Sequence, residues 1–321
     1  MAELDVDELR RRLAVAEVAD VTALAGGASS LTFGGMRCGR QVVIKVAPPG
    51  VEPIAHRDVL RQAHVIKALA GTQVPVPEVV WEDPGAPPQT PPLFVMSHVE
   101  GDCVEPLFDS CPPSDDLPER YRNAARIMAA LHSLSPIELG LGGESTLDPV
   151  AEVHRWCDTL QTVDATLVPD WQGVRDALLQ RPPHAMRPSV VHGDFRLGNV
   201  LAAGTHVNAV IDWEIWSIGD PLVDLAWFVQ FTDGENFPGV GRNVPGTPSA
   251  TEVLDRYTAA AGTNRDRSET DWFFALGCLK LAAIQAHNRR RHLDGRFHDP
   301  YQALLGPSID RHLSRGLETV T

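Results

Sequence analysis

Residues 190–228 read VVHGDFRLGNVLAAGTHVNAVIDWEIWSIGDPLVDLAWF. Two apolar, strand-like runs in this stretch each end in polar residues. The first polar cluster has the spacing H-x-D-x₄-N and consists of His192, Asp194 and Asn199, and the second begins with Asp212. Because the end of a strand can hold a polar side chain in place without burying it unpaired, we expect these residues to form one site.

The residue types at this site suit phosphoryl transfer. That reaction needs cations that neutralise the phosphates and a carboxylate that orients the acceptor hydroxyl and receives its proton. Mg²⁺ prefers oxygen ligands and keeps several of its waters. We therefore predict Asp194, Asn199 and Asp212 as the catalytic residues, with Asp194 as the base and with Asn199 and Asp212 as the metal ligands. His192 is expected to organise the loop through hydrogen bonds.

The chain resembles the aminoglycoside phosphotransferase and choline kinase-like family of small-molecule kinases. The family pattern H-G-D-x-x-x-x-N is matched at residues 192–199, and the pattern I-D-W-E is matched at 211–214. A third pattern, G-D-P-x-x-D-L-A, is matched at 219–226. The resemblance spans roughly residues 20–300 and implies ATP and Mg²⁺ as cofactors. The Pro-rich approach to LFVMSHVEGD is also similar to the subgroup fused to, or encoded near, acyl-CoA dehydrogenases.

The sequence pattern predicts an α+β fold with two lobes, and the resemblance implies that this is the bilobal protein-kinase-like fold. Glycine-punctuated β runs and one helical segment fall within residues 1–97, whereas helical periodicity dominates the later part of the chain. We therefore assign residues 1–97 to a small β-rich N-terminal lobe with the nucleotide-binding sheet. Residues 98–321 are assigned to a larger, mostly helical C-terminal lobe with the catalytic loop, metal site and acceptor site. The Gly-, Pro- and Asn-rich segment 233–248 is predicted to be a mobile surface insertion.

Lys45 lies inside a predicted strand of the N-terminal lobe, with apolar residues on both sides. A lysine in that position costs free energy unless its ammonium meets an anion. The resemblance implies that this lysine holds the α- and β-phosphates of ATP. The family usually places a glutamate partner on the following helix, but this chain has Gln62 there and Asp58 one turn earlier. The partner of Lys45 is therefore left open.

Further nucleotide contacts are predicted from their position in the N-terminal lobe. The Gly/Ser loop that precedes the lysine strand would cover the phosphates with backbone N–H groups and hydroxyls, including those of Ser29 and Ser30. Adenine is expected against backbone groups of the hinge, which consists of Ser97, His98 and Val99.

The charge of the chain excludes some classes of partner. The formal net charge is −14, of which −12 falls in residues 98–321. Nucleic acid is disfavoured because phosphate binding needs basic surface, whereas a cationic substrate would be attracted. No apolar run reaches bilayer length, the N-terminus lacks the apolar core of a signal peptide, and the five cysteines include no C-x-x-C pair. We expect a cytoplasmic monomer or homodimer without membrane contact.

The leading hypothesis is a small-molecule kinase that moves the γ-phosphoryl group of ATP to a hydroxyl of a small acceptor. An aminoglycoside-like amino-alcohol would suit the acidic C-terminal lobe, and a hydroxyacyl-CoA or another small molecule fits the fold equally well. Two other classes stay open. One is a non-catalytic nucleotide-binding pseudokinase, and the other is a metal-dependent hydrolase built on His192, Asp194 and Asp212.

Overall fold

The N-terminal part of the chain forms a five-stranded antiparallel sheet. The computed structural model describes residues 4–24, 30–109, 115–184, 187–262, 266–295 and 299–321. The first elements in chain order are α1 (Val6–Val15), β1 (Val18–Ala23), β2 (Leu31–Arg37), β3 (Arg40–Val46), α2 (Val59–Leu69), β4 (Val79–Asp83) and β5 (Leu93–Ser97). The strands lie in the order β1-β2-β3-β5-β4, and every neighbouring pair is antiparallel.

The sheet is covered on both faces, and the alternation of side chains along β5 shows this directly. Leu93 and Val95 pack into a cluster with the buried face of α1, whereas Phe94 and Met96 pack into the cluster that contains α2. Successive side chains of a strand point to opposite faces, so an apolar run of this kind fits a strand buried on both sides. In agreement with this burial, β5 is an interior strand of the sheet, between β3 and β4.

The start of α2 is fixed by a capping side chain. Asp58 Oδ1 accepts hydrogen bonds from the backbone N–H groups of Leu60 and Arg61, both at 3.1 Å. An aspartate at this position satisfies donors that the helix itself cannot pair. Arg61, on the same helix, binds the carboxylate of Glu144 at 2.8 Å and the main-chain oxygen of Trp216 at 2.9 Å. These contacts join α2 to the C-terminal part of the chain.

The C-terminal part is mainly helical and carries short strands. Its elements are α3 (Leu117–Ser133), β6 (Thr146–Leu147), α4 (Pro149–Gln161), α5 (Trp171–Gln180), β7 (Ser189–Val191), β8 (Val200–Ala203), β9 (His206–Val210), β10 (Ser217–Gly219), α6 (Leu222–Gln230), α7 (Ala250–Ala261), α8 (Arg267–Leu293) and α9 (Gly306–Val320). β10 lies between β6 and β7, and β8 pairs with β9. The 27-residue helix α8 packs against α4, α5, α6 and α9 and runs through the core. Every residue of α6 is buried.

The segment 233–248 differs from its prediction. Its composition predicts a surface insertion, but Phe237 is buried and packs against Phe231, with ring centroids 5.2 Å apart. The buried side chain of Asn236 donates to the main-chain oxygen of Gln230 at 2.9 Å. Residues 236 and 237 therefore anchor the segment in the interior, and a surface position is wrong for them, whereas residues 238–248 are exposed or half-buried as the prediction expects.

The predicted α+β fold is confirmed, with a β-rich N-terminal region and a mainly helical C-terminal region. In chain order, the last strand of this sheet is β5, which ends at Ser97. The exact division into lobes between residues 97 and 98 stays a prediction. None of the helices in the described ranges is long and apolar enough to cross a lipid bilayer.

Candidate active site

The loop between β7 and β8 carries Asp194, and its backbone is held by a buried carboxylate. Asp224 accepts hydrogen bonds from the backbone N–H groups of His192 and Gly193, both at 2.7 Å. Gly193 has a φ of 86°, and a Cβ at this position would lie 2.5 Å from the main-chain oxygen of Ile215. Only glycine fits this combination of conformation and space. The loop that presents Asp194 is therefore tightly specified.

Asp224 stays ionised in the protein interior because of its partners. Burial acts to raise the pKa of Asp224, but the hydrogen bond and charge of His132, together with His192, bring this pKa below its ordinary value. His132 Nε2 lies 3.2 Å from Asp224 Oδ2, and its Nδ1 lies 2.8 Å from the hydroxyl of Tyr257. Asp224 thus fixes the backbone of the loop that carries Asp194.

Asp194 is surrounded by hydrogen-bond donors. Asn199 Nδ2 donates to Asp194 Oδ2 at 2.7 Å, and Trp227 Nε1 donates to Asp194 Oδ1 at 2.8 Å. Arg196 Nε lies 3.2 Å from Oδ1 and 3.3 Å from Oδ2. These three donors hold the carboxylate in one orientation with both oxygens engaged, while 21% of the side chain stays exposed.

Asn199 and Asp212 are brought together through the backbone of the intervening residue. The N–H of Ile211 donates to the main-chain oxygen of Asn199 at 3.0 Å, and the main-chain oxygen of Ile211 lies 2.9 Å from His192 Nε2. The N–H and the main-chain oxygen of Ile211, the residue before Asp212, are therefore both bound to the segment 192–199 that carries Asp194. Asp212 itself has a φ of 66°, an uncommon conformation for a residue with a side chain. Such strain is often found at functional sites.

Lys45 reaches the same site from the N-terminal sheet. Its Nζ lies 3.5 Å from Asp212 Oδ1, and the lysine side chain is 13% exposed. Of the two partners that the sequence left open, Asp58 caps α2, and Gln62 is buried with an Nε2 that has no hydrogen-bond partner within the described ranges. The acidic partner of Lys45 in the structure is thus Asp212, which is 167 residues away in sequence.

The other predicted nucleotide contacts lie along the N-terminal sheet. Ser29 falls outside the described residues, and Ser30 is buried with a hydroxyl that has no hydrogen-bond partner among the residues described. At the predicted hinge, the N–H of Ser97 donates to the main-chain oxygen of Glu78 at 2.8 Å, and its hydroxyl accepts from Glu78. His98 is exposed and donates its backbone N–H to Gln41, and Val99 is half-buried.

Sequence reasoning missed several side chains that contact this site. Arg196 binds Glu105 at 2.9 Å in addition to Asp194. Burial raises the pKa of the Glu105 carboxyl to about 7, although Arg196 and the N–H of Gly198 act in the opposite direction. Burial also acts to lower the pKa of Arg196, but the charges of Asp194 and Glu105 more than offset this effect and raise it. Arg196 could have been identified from the sequence because it lies within the motif at residues 192–199, whereas the local sequence around Glu105 gives no indication of a role at the site.

The oxygen atoms at the site fit a hard cation. Asn199 Nδ2 donates both of its hydrogen bonds to Asp194. The Oδ1 atom of Asn199 is therefore the atom of this amide that is able to ligate a metal. A carboxylate from Asp212 and an amide oxygen from Asn199 are the ligand types that Mg²⁺ takes while keeping several waters. Across the described ranges, no three His, Cys, Asp or Glu side chains gather as a metal cage.

Comparison with curated proteins gives relatives of two kinds. Acyl-CoA dehydrogenase family member 11 of Gallus gallus is 31% identical over 291 residues, which cover 86% of this chain and 37% of that protein. Viomycin phosphotransferase of Streptomyces vinaceus is 29% identical over 182 residues, which cover 51% of this chain and 60% of that protein. The chain therefore spans less than two fifths of the length of the Gallus gallus relative.

Solved structures share the fold. A protein assigned as an aminoglycoside phosphotransferase from Ralstonia eutropha matches with a TM-score of 0.77 and 22% identity, covering 99% of this chain and 98% of that one. A thermostable mutant of aminoglycoside phosphotransferase APH(4)-Ia, in ternary complex with ADP and hygromycin B, matches with a TM-score of 0.62 and 19% identity. That match covers 96% of this chain and 99% of that one. The fold is therefore the kinase-like fold of aminoglycoside phosphotransferases.

The family model described as the phosphotransferase enzyme family matches residues 20–273. The matched region includes β3 with Lys45 as well as the loops that carry Asp194 and Asp212. A match across this much of the sequence shows that the chain belongs to the phosphotransferase enzyme family.

Proposed function

We propose that this chain is an ATP- and Mg²⁺-dependent phosphotransferase that moves the γ-phosphoryl group of ATP to a hydroxyl of a small molecule. The observation that supports this most directly is that Lys45 of the N-terminal sheet lies at the loops that carry Asp194, Asn199 and Asp212, far away in the sequence. Lys45 pairs with Asp212, and Asn199 hydrogen-bonds Asp194 while its main chain binds the residue before Asp212. Membership of the phosphotransferase family supports the reaction class.

Asp194 is the proposed catalytic base. Its carboxylate orients the acceptor hydroxyl and receives the proton that this hydroxyl loses as the phosphoryl group is transferred. The donors on both oxygens fix the orientation of the carboxylate, and the partial exposure of the side chain leaves room for an acceptor to approach. Arg196 supplies a nearby positive charge, which suits the negative charge of the phosphoryl group in transfer.

Asp212 and Asn199 are the proposed metal ligands. Mg²⁺, when bound, neutralises the charge of the nucleotide phosphates. Lys45 is proposed to hold the α- and β-phosphates, and its ion pair with Asp212 keeps the ammonium close to the proposed metal ligand. The 3.5 Å distance is long for a charge-assisted hydrogen bond, so the ammonium can turn to a phosphate without losing a strong contact.

The N-terminal lobe, residues 1–97, is proposed to bind the nucleotide. The loop with Ser29 and Ser30 would cover the phosphates, and the buried hydroxyl of Ser30 without a partner suits a contact that forms only with a nucleotide. The hinge would bind adenine through backbone groups near His98 and Val99. The N–H and the hydroxyl of Ser97 are both bound to Glu78, so the proposed adenine contacts fall mainly on the hinge residues that follow it.

Two acceptor classes have support. An amino-alcohol suits the net charge of −12 in residues 98–321 and the similarity to viomycin phosphotransferase. The second class is a hydroxyacyl-CoA. The names of the acyl-CoA dehydrogenase relatives agree with the second class.

An ATP-consumption screen tests the proposal and separates the acceptor classes. Purified protein is assayed with Mg²⁺-ATP and with aminoglycosides, macrolides, choline-like alcohols or hydroxyacyl-CoAs, and each assay is repeated in EDTA. ADP formation should rise with one acceptor class and disappear without Mg²⁺. The variant Asp194→Ala controls for contaminating kinases. If no acceptor raises ADP formation and no Mg²⁺-dependent hydrolysis occurs, the proposal fails and the pseudokinase hypothesis takes its place.

A further inference from the structure

The carboxylate of Asp194 receives a hydrogen bond from a tryptophan outside the catalytic loop. Trp227 lies on α6, and its Nε1 donates to Asp194 Oδ1 at 2.8 Å. The indole is 3% exposed, so it is held by the surrounding core. An indole has a single N–H donor and no acceptor, and here that donor is used on Asp194.

The ring of Trp227 contacts Lys280 and Phe231. Lys280 Nζ lies 4.1 Å from the centroid of the indole ring, and the ring of Phe231 lies 5.4 Å away. Lys280 Nζ also donates to the main-chain oxygen of Gly193, the residue before Asp194. One ammonium therefore contacts both the indole that binds Asp194 and the backbone that carries Asp194.

Lys280 is a cation in a buried position. It is 2% exposed on α8, and burial lowers its pKa to about 8. Glu152 on α4, Asp224 on α6 and Asp194 on the catalytic loop favour its charged form, whereas Arg155 on α4 opposes it. At neutral pH the side-chain amine of Lys280 therefore carries its proton, and the resulting ammonium is attracted to the face of the indole.

We propose that Trp227 is a positioning residue that sets the orientation of the Asp194 carboxylate, and that the contact of Lys280 with the indole ring stabilises Trp227 in this position. Two other donors bind this carboxylate, but each is shared. Arg196 also binds Glu105, and Asn199 also donates to the main-chain oxygen of Asp194. Trp227 is the rigid donor of the three, because an indole has few rotatable bonds and this one is buried. This inference rests on the proposed function, since it takes Asp194 as the group that orients the acceptor.

The test compares two substitutions that each remove one buried indole hydrogen bond. Trp227→Phe keeps an aromatic ring but removes the donor to Asp194. Trp272→Phe is the matched control, because Trp272 is also buried and donates its Nε1 to the main-chain oxygen of Leu178, away from the catalytic loop. Thermal unfolding of both variants checks that they fold. The kcat and KM values of Mg²⁺-ATP turnover are then measured with the acceptor found in the screen, or with water alone.

Trp227→Phe should lower kcat about 10- to 100-fold, because a small misplacement of a reacting group has an effect of this size. The KM for ATP should stay within about twofold of the native value, since the indole has no role in nucleotide binding. Trp272→Phe should change neither quantity. A native kcat in Trp227→Phe overturns the positioning role and leaves the base assignment of Asp194 standing. Native turnover in Asp194→Ala, by contrast, removes the base assignment and this inference together.

A second measurement tests the contact without turnover. The chain has seven tryptophans, and the indole N–H signal of Trp227 in an NMR spectrum is identified by its loss in Trp227→Phe. Asp194→Ala and Lys280→Met should each shift this signal, because the first removes its acceptor and the second removes the cation over its ring. The indole signal of Trp272 should stay in place in both variants. An unshifted Trp227 signal in Asp194→Ala overturns the inference.

Discussion

Asparagine has nearly the same shape as aspartate, but the substitution Asp194→Asn changes the hydrogen bonds of the site. Trp227 donates to Oδ1, Asn199 donates to Oδ2, and Arg196 lies close to both oxygens. An amide offers one acceptor oxygen, so its NH₂ group faces a donor in either orientation. A donor left unpaired costs about 1–3 kcal/mol, and we expect about 1–2 kcal/mol here because Asp194 is partly exposed. Turnover should fall about 10²- to 10⁴-fold through loss of the general base.

A second substitution can restore the hydrogen bond without restoring the base. Adding Asn199→Asp places a carboxylate where the new amide at position 194 can donate to it, while the amide oxygen faces Trp227 and Arg196. Asn199→Asp alone sets two carboxylates against each other and should itself be destabilising. The destabilisation of the double variant should therefore be about 0.5–3 kcal/mol smaller than the sum of the destabilisations of the two single variants. Its turnover should stay as low as that of Asp194→Asn.

The assay is urea unfolding followed by tryptophan fluorescence, with Mg²⁺-ATP turnover measured on the same preparations. A coupling free energy near zero between positions 194 and 199 would refute the reasoning, because it would mean that the two side chains do not interact. Recovered turnover in the double variant would also refute it, because the base would then not need to stand at position 194.

Two further predictions concern stability. Burial lowers the pKa of His312 to about 3 from 6.5, so the unfolded chain alone takes up this proton and stability falls as the pH drops below 6.5. Between pH 7 and pH 5 this proton uptake removes about 2 kcal/mol from the free energy of unfolding. The loss of stability over this pH interval should therefore be about 2 kcal/mol smaller in His312→Leu than in the native protein. An equal pH dependence of the two proteins would contradict the assignment. Gly193→Ala should cost at least about 1 kcal/mol more than Gly140→Ala, because both glycines have positive φ but only the first would clash with backbone. Equal thermal shifts of the two alanine variants would argue against the tight loop.

Sequence patterns predicted the catalytic loop because its residues are close together in the chain. Asp194 and Asn199 lie between β7 and β8, Asp212 follows β9, and the backbone bonds that join the two loops use these residues or their neighbours. Lys45 was predicted because an apolar strand gave its charge no other explanation. Its pairing with Asp212 was not predicted, since local patterns carry no information about contacts 167 residues apart.

The remaining contacts of the site lie on segments with ordinary local patterns. Trp227 stands in an apolar helix, where a tryptophan normally indicates core packing. Lys280 interrupts the apolar run of α8, and the argument that singled out the lysine in β3 would have found it too. Phe237 and Asn236 sit among glycines and prolines, and this composition hid the two residues that anchor their segment.

The central claim is that Asp212 holds the metal-nucleotide complex while Asp194 acts only in the transfer step. Calorimetric titration of Mg²⁺-AMP-PNP into the native protein, Asp212→Ala and Asp194→Ala tests it most directly. Asp212→Ala should bind about 10- to 100-fold more weakly, the size expected for loss of one charged ligand, whereas Asp194→Ala should bind within about threefold of native and yet fail to turn over. Native affinity in Asp212→Ala, or equal loss of affinity in both variants, would contradict the account.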